Sequence, residues 1–497
     1  MRLRYPQVVW VSRRVMGAQG FSRRRRLLVL AICCMSLFIA GLDSTIVNVA
    51  LPSIQRDLHA PVSGLQWTVD AYTLVLASFL ILSGSTGDRV GRRRVFQTGL
   101  VLFILGSLLC SLAPGLGWLV AFRVLQAIGG SMLNPVALSI ISNTFTDPAE
   151  RARAIGIWGS VFGVSLALGP VLGGALIASV GWRGIFWVNV PVGLAALVLS
   201  ALFVPESRAP RARGVDLVGQ LLVMTMLASL IYAIIEAPGA GWTSARTLGF
   251  FGVAAAAFTG LIYWEPRRDE PLIDLRFFRS APFSGATVIA VCAFAALGGF
   301  LFLNTLYLQD VRGYSALHAG LFMLPMAAMI VVCAPLSGRI LAARGPRLPL
   351  VVAGLAIMAS GAMLTRLATG TPAGWLITCY LALGVGTGMV NPAITNTAVS
   401  GMPPSQAGVA AAIASTSRQV GTALGVAVMG SAVLSALHGP LRLGFAGASH
   451  VGWWIIAGCG ATVLLLAIIT TGRWAKATAE RAASRTAPGS PKVPVSS

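Results

Sequence analysis

Residues 23–52 read RRRRLLVLAICCMSLFIAGLDSTIVNVALP. Four arginines stand before a run, Leu27 to Leu51, whose single charge is Asp43. An α-helix rises ~1.5 Å per residue, so crossing ~30 Å of hydrocarbon takes about 20 apolar residues. This run is long enough to span. It is also too long for the apolar part of a cleavable leader, which reads it as an uncleaved anchor. Residues 1–15 read as an unstructured extension, with Met16 as a candidate start. Outward from this stretch, similar runs recur as far as Thr471. The fold class is therefore all-α integral membrane, with about fourteen transmembrane helices.

Composition points the same way. Hydrophobic residues make up 56% of the 497 positions and charged residues 10%, with a mean hydropathy of +0.80. A soluble domain carries about 25% charged residues. The net charge of +22 would suggest nucleic acid in a soluble protein. Here its placement decides otherwise. Arginines crowd alternate loops: Arg89, Arg92, Arg93 and Arg94; Arg151 and Arg153; Arg208, Arg211 and Arg213; Arg267, Arg268, Arg276 and Arg279; Arg339, Arg344 and Arg347. The intervening loops hold single arginines such as Arg56, Arg183, Arg246 and Arg312. By the positive-inside rule both termini are cytoplasmic, the number of spans is even, and the location is the inner (cytoplasmic) membrane. Trp67, Trp118, Trp182, Trp242, Trp264, Trp375, Trp453 and Trp454 fall near helix ends, as an interfacial belt would place them. All seven cysteines lie in apolar runs without a Cys-x-x-Cys, and read as small buried hydrophobes rather than metal ligands.

An internal repeat orders the spans. Gly129-Gly-Ser-Met-Leu-Asn134-Pro135 returns as Gly386-Thr-Gly-Met-Val-Asn391-Pro392, 257 residues later (129 to 386). Gly84-x6-Gly91 returns as Gly338-x6-Gly345, 254 residues on (84 to 338). Two motifs at nearly one offset argue for duplication. The offset covers eight helices, so two six-helix halves flank two extra helices near 217–264. The expected organisation is a basic cytoplasmic segment (1–26), an N-terminal six-helix bundle (27–204), two linking helices with their loops (205–280), a C-terminal six-helix bundle (281–471) and a disordered tail (472–497).

The loop Gly84-Ser-Thr-Gly-Asp88-Arg89-Val-Gly91-Arg92-Arg93 combines turn-forming glycines with an acid that can pair with arginines at the membrane surface. Such a charge set could latch two helical bundles together in one transport state. The loop resembles the signature loop of the major facilitator superfamily. Helix four reads Arg123-Val-Leu-Gln126-Ala127-Ile-Gly129, similar to the family's Arg-x-x-Gln-Gly-x-Gly, with Ala127 in place of a glycine. Helix five, Gly156-x8-Ser165-x3-Gly169-Pro170-x2-Gly173-Gly174, resembles the motif of the antiporters, with Ser165 where glycine is usual. Leu42-Asp43-Ser-Thr-Ile-Val-Asn48-Val-Ala-Leu-Pro52 resembles a motif of the fourteen-helix drug:proton antiporters. The resemblance covers about residues 25–472. It implies two rocking bundles and proton-coupled export of small hydrophobic or cationic drugs, with no cofactor beyond the proton motive force.

Ionisable groups within a bilayer are costly and read as functional by default. Asp43, Asp70, Arg123 and Arg418 stand out. Counted along their helices, Asp43, Asp70 and Arg123 fall in one outer-half layer, where a carboxylate can exchange a proton for cargo. Asp43 is expected to carry the proton, with Asp70 as second carrier or cation site. Arg123 is implied by the resemblance to take part in proton transfer. Gly156, Gly169, Gly173 and Gly174 allow close helix approach, and Pro170 a bend. In antiporters such a seam is thought to seal against proton leak. Substrate-cavity candidates are Asn48, Gln126, Met132, Trp158, Phe162, Arg418 and Gln419. Asn134 and Asn391 read as structural.

The alternatives are a proton symporter or an exporter of one endogenous metabolite and, in another class, a membrane-embedded enzyme or receptor. A membrane enzyme would need a catalytic motif; there is no G-x-S-x-G and no H-E-x-x-H, and the only lysines, Lys476 and Lys492, exclude a phosphate loop. A symporter remains the competitor within transport, with the antiporter-like helix five against it. The expected partners are a hydrophobic or cationic small molecule, protons and membrane lipid, with no metal and no nucleic acid, and the working unit is a monomer.

Overall fold

In the computed structural model, which describes residues 22–208, 214, 216–268, 271–399, 407–437 and 441–486, the arginine-led run becomes α1 (Arg23–Leu58). Then follow α2 (Val62–Val90), α3 (Arg92–Ser111), α4 (Leu116–Thr144), α5 (Pro148–Val180) and α6 (Gly184–Phe203, interrupted at Val188). The central pair is α7 (Leu217–Ala240) and α8 (Ala245–Trp264). The last six spans are α9 (Ala281–Leu306), α10 (Ala316–Arg344), α11 (Arg347–Leu364), α12 (Ala373–Val399), α13 (Ala407–Ala436) and α14 (Leu441–Thr470). Thirteen of these helices are long and apolar enough to cross a membrane, and α5 makes a fourteenth when its bent halves are one span.

The bend in α5 has a local cause. Its two halves meet at 42° between Leu166 and Leu168. Pro170 has no N–H to give the carbonyl of Leu166, four residues back, and its ring crowds that carbonyl. The turns are also local. Gly91 closes α2 with φ of +126°, and its counterpart in the repeat, Gly345, closes α10 with φ of +77°. Both second glycines of the repeated loop thus occupy backbone that other L-residues resist. Asp147, Asp216, Ser244 and Ser315 cap α5, α7, α8 and α10 by accepting a backbone N–H three residues ahead.

The duplication is repeated in the packing. In the first half α3 lies on α4, α1 on α5, α2 on α4 and α3 on α6. In the second, α11 lies on α12, α9 on α13, α10 on α12 and α11 on α14. Each pair maps onto its partner by adding eight to the helix number. The halves join through α2 with α13 and α5 with α10.

These joints lie toward the end of the bundle opposite the arginine-rich loops. Gly174 meets the backbone of Ala316 and Leu317, and Gly320 meets Pro170 and Val171. Gln66 Nε2 donates to the carbonyls of Val426 (3.1 Å) and Ala427 (3.0 Å), and Gln309 Nε2 to that of Val49 (2.8 Å). Toward the arginine-rich end the contacts run out among the described residues. Gly156 and Gly159 of α5 and Gly338 of α10 have open space where a side chain would stand. Ile157 is 53% exposed and Val332 60%.

The central pair is bonded into this joint. α7 crosses the α2–α13 joint and bonds to both sides: Gln220 to the carbonyl of Ser78, Ser431 Oγ to the carbonyl of Ile234 (2.7 Å). α8 packs on α7.

Two expectations need correction. Residues 473–486, within the tail expected to be disordered, form α15 (Arg473–Thr486). Ala475 and Ala479 are buried one turn apart, and Thr478 Oγ1 accepts from the N–H of Ala281 (3.0 Å), so helical spacing and docking on α9 outweigh the polar composition. Residues 1–21 and 487–497, with the Met16 reading, lie outside the described residues. Trp182 and Trp453 are buried rather than interfacial, their indoles bonded to Asp57 (2.8 Å) and Ser449 (3.0 Å). Trp118, Trp242 and Trp454 are exposed.

Candidate functional site

Five helices of the first half contribute to one layer closed to solvent. Asp43 of α1 is 0% exposed and Arg123 of α4 is 1%. Arg123 Nη1 stands 2.5 Å from Asp43 Oδ2. Two charges survive burial only when paired and further hydrogen-bonded, and both are. Asp43 Oδ1 accepts from Gln126 Nε2 (2.8 Å) and Asn189 Nδ2 (3.1 Å). Arg123 donates again to Gln126 Oε1 (2.7 Å) and the carbonyl of Thr68 (3.2 Å), and stacks 4.1 Å from the Tyr72 ring centre. Ser107 Oγ of α3 accepts from Gln126 (3.1 Å) and Asn189 (3.0 Å), and donates to the carbonyl of Phe186 (3.1 Å).

Local sequence explains the assembly. Arg123 and Gln126 are three apart on α4 and share a face. Gly106 lets α3 lie against the backbone of Gln126, which brings Ser107 within reach. Asn189 opens the second segment of α6.

The structure brings Asp43 and Arg123 together, but not Asp70. Asp70 is fully buried and neither carboxylate oxygen has a hydrogen-bond partner. Thr73, near it on α2, spends its hydroxyl on the carbonyls of Val69 and Asp70. Its neighbours on that face turn outward: Gln66 to α13, Trp67 to Glu236 of α7 (2.9 Å), Leu74 to the cluster of Ile231, Ile234 and Ala423.

The other candidates scatter. Asn48 donates to the Ser44 carbonyl (3.3 Å) and leaves its own oxygen unpartnered, as does Asn134. Met132 lies on the α4 face that meets Gly99 of α3, and Trp158 packs on the first half's core with its indole N–H unpartnered. The side chain of Phe162 lies outside the described residues. In the second half Arg418 holds the hydroxyls of Thr395 (3.1 Å) and Ser415 (2.7 Å), with no acid beside it among the described residues; Gln419 is half-buried. Gly169 and Gly173 press on Thr45 and Ile46 of α1, and Gly174 on α10, while Gly156 presses on nothing.

The arginine-rich loop is tied down within the first half. Asp88 Oδ1 accepts from Arg92 Nε (2.9 Å) and Nη2 (2.8 Å) across the Gly91 turn. The carboxylate of Glu206, just beyond α6, occupies the space a Gly91 side chain would need. It accepts from the Arg93 N–H (3.2 Å) and faces Arg94 (3.6 Å). Glu206 therefore caps α3. Among the described residues, Asp88 and Glu206 thus clasp the loop to the first half.

Asn189, Ser107, Tyr72, Glu206 and Glu236 are not among the residues that the sequence singles out. Glu236 is an acid within an apolar run and was visible by the same rule that found Asp43. Asn189 is a lone amide in the apolar run Trp187-Val-Asn189-Val, and no rule of charge would mark it.

Two duplicated six-helix bundles about a central pair are the architecture of a secondary transporter. Residues 33–426 match the Major Facilitator Superfamily, and the chain belongs to that family. It is 40% identical to the tetracenomycin C resistance and export protein of Streptomyces glaucescens, over 83% of this chain and 77% of that one. It is 37% identical to the multidrug resistance protein Stp of Mycobacterium tuberculosis (84% and 78%) and 36% identical to the puromycin resistance protein of Streptomyces alboniger (86% and 85%). Its fold matches a solved bacterial homologue of the human lysosomal transporter Spinster with a TM-score of 0.59 at 18% identity, covering 93% of this chain and 98% of that one.

Proposed function

We propose that this chain exports small hydrophobic or cationic drugs in exchange for protons. The observation that carries the reading is the Asp43–Arg123 pair, buried in a dry layer of amides. Such a carboxylate can be neutral with a proton or negative against Arg123, and either exchange changes how the five helices around it are bonded. The relatives named for resistance and export support drug cargo.

With the arginine-rich end cytoplasmic, the parted ends of α5 and α10 open inward, and the contacts of Gly174 with Ala316 and of Gly320 with Pro170 close the outside. Cargo loads from the cytoplasm or inner leaflet. Rocking of α1–α6 against α9–α14 exposes it outward, where a proton reaches Asp43 and resets the cycle. Asp70, buried without a counter-charge among the described residues, is neutralised by a second proton or a cationic cargo.

The test is dye export from vesicles under an imposed pH gradient, normalised to protein in the membrane. Wild type exports a cationic dye and Asp43→Asn does not. Undiminished export by Asp43→Asn refutes the coupling assignment. Gradient-driven uptake of metabolites in place of dye export makes the protein a symporter.

A further inference from the structure

We propose that Asn189 is the positioning residue that follows the protonation state of Asp43, by turning its side-chain amide. The inference rests on the reading above that Asp43 carries the proton.

Ionised Asp43 is served by three N–H donors, from Arg123, Gln126 and Asn189. Protonation creates an O–H in a layer closed to water, and that O–H needs an acceptor. Arg123 has none to offer. Gln126 Oε1 already accepts from Arg123 Nη1, with Cys110 Sγ at 4.0 Å. Ser107 Oγ already accepts twice and donates once. Asn189 Oδ1 is buried and has no donor. A half-turn of the Asn189 amide exchanges Nδ2 for Oδ1 and sets that vacant acceptor against Asp43 Oδ1.

The same turn reaches the backbone. Ser107 loses the N–H of Asn189 and gains a carbonyl oxygen, toward which its own O–H can swing from the carbonyl of Phe186. Phe186 and Asn189 flank the interruption of α6 at Val188. Loading of Asp43 is thereby felt at the one place where α6 is already broken. Among the described residues, the charged and titratable groups that face Asp43 are Arg123 of α4, Tyr72 of α2 and Cys110 of α3. From α6 comes only the neutral amide.

The full chain in vesicles provides the test, with ethidium as cargo. Export driven by a pH gradient is compared with gradient-free ethidium exchange across a series of pH values. Asn189→Leu keeps the branched outline of the side chain and removes donor and acceptor; it should lower gradient-driven export about tenfold or more. Exchange should continue, but with its pH dependence flattened. Asn189→Thr, which can both donate and accept, should restore most of both. Should Asn189→Leu fail to insert, Asn189→Ala carries the same comparison. Wild-type export and pH profile in Asn189→Leu would overturn the inference. So would parallel loss of export and exchange that Asn189→Thr does not rescue, since that marks a packing role. Asp43→Asn run alongside separates the two levels: export surviving there removes the parent reading, whereas export lost there but intact in Asn189→Leu removes this inference alone.

Discussion

Trp67 of α2 donates its indole N–H to Glu236 of α7 at 2.9 Å, joining the first half to a helix that belongs to neither half. A second bond, from Gln220 to the carbonyl of Ser78, ties the other end of α7 to the same helix. The side-chain bonds near α13, Ser431 to Ile234 (2.7 Å) and Trp242 to Ser435 (3.3 Å), both fall toward the ends of α7 and α13 away from the arginine-rich loops. A helix bonded at both ends to α2 and at one end to α13 is expected to travel with α2.

Paired cysteines test this. A disulfide from Ser78→Cys with Gln220→Cys should leave dye export within about twofold of the reduced protein. One from Ile234→Cys with Ser431→Cys should stop it, because rocking requires that contact to slide. Export measured before and after reduction reads both.

Removing one member of a buried ion pair strands the other, at about 3–5 kcal/mol. Asp43→Asn and Arg123→Gln should therefore each melt lower in detergent than the wild type. The double variant, with no charge left to strand, should recover much of the loss while remaining dead in export. Thermal unfolding of the four proteins, read beside export, separates stability from coupling.

The seam glycines should not behave alike. A side chain at Gly174 must displace the Ala316–Leu317 backbone, and overpacking costs about 1–3 kcal/mol. Gly174→Leu should lower the melting temperature and impair closure of the outer end, seen as a raised proton leak. Gly156→Leu, which meets nothing, should melt as wild type.

Gly91 combines positive φ with the Glu206 carboxylate in its side-chain space. Gly91→Ala should cost about 1–2 kcal/mol from backbone conformation alone, and more through the displaced cap. Glu206→Ala should cost about 1 kcal/mol by uncapping α3. Both are read as shifts in melting temperature, with export per folded molecule retained in Glu206→Ala.

What could be read in advance followed locality. The first run was legible from Leu27 to Leu51 and lies within α1, Arg23–Leu58, because transfer of consecutive apolar residues into hydrocarbon sums along the chain without reference to partners. The Gly91 and Gly345 turns were legible because their backbone demand is set by one residue. The α5 bend was legible because Pro170 acts on its own helix. Asp43 and Arg123 were legible as costly groups, though as members of a layer rather than as a bonded pair.

Partnership was not legible. Asp70 and Asp43 lie at similar depth on neighbouring helices and read alike. Rotation about the helix axis separates them, turning Asp43 into the first half and Asp70 toward α7 and α13. Asn189 gained its role because α6 crosses α1 and α3 at the level of Asp43. α7 gained one by lying across the α2–α13 joint. The sequence by itself determined the spans, their order, their duplication and the family. Only tertiary structure decided which polar groups meet, because in lipid the apolar force that makes a span does not choose its neighbours. That choice falls to helix crossings and to the few buried hydrogen bonds they permit.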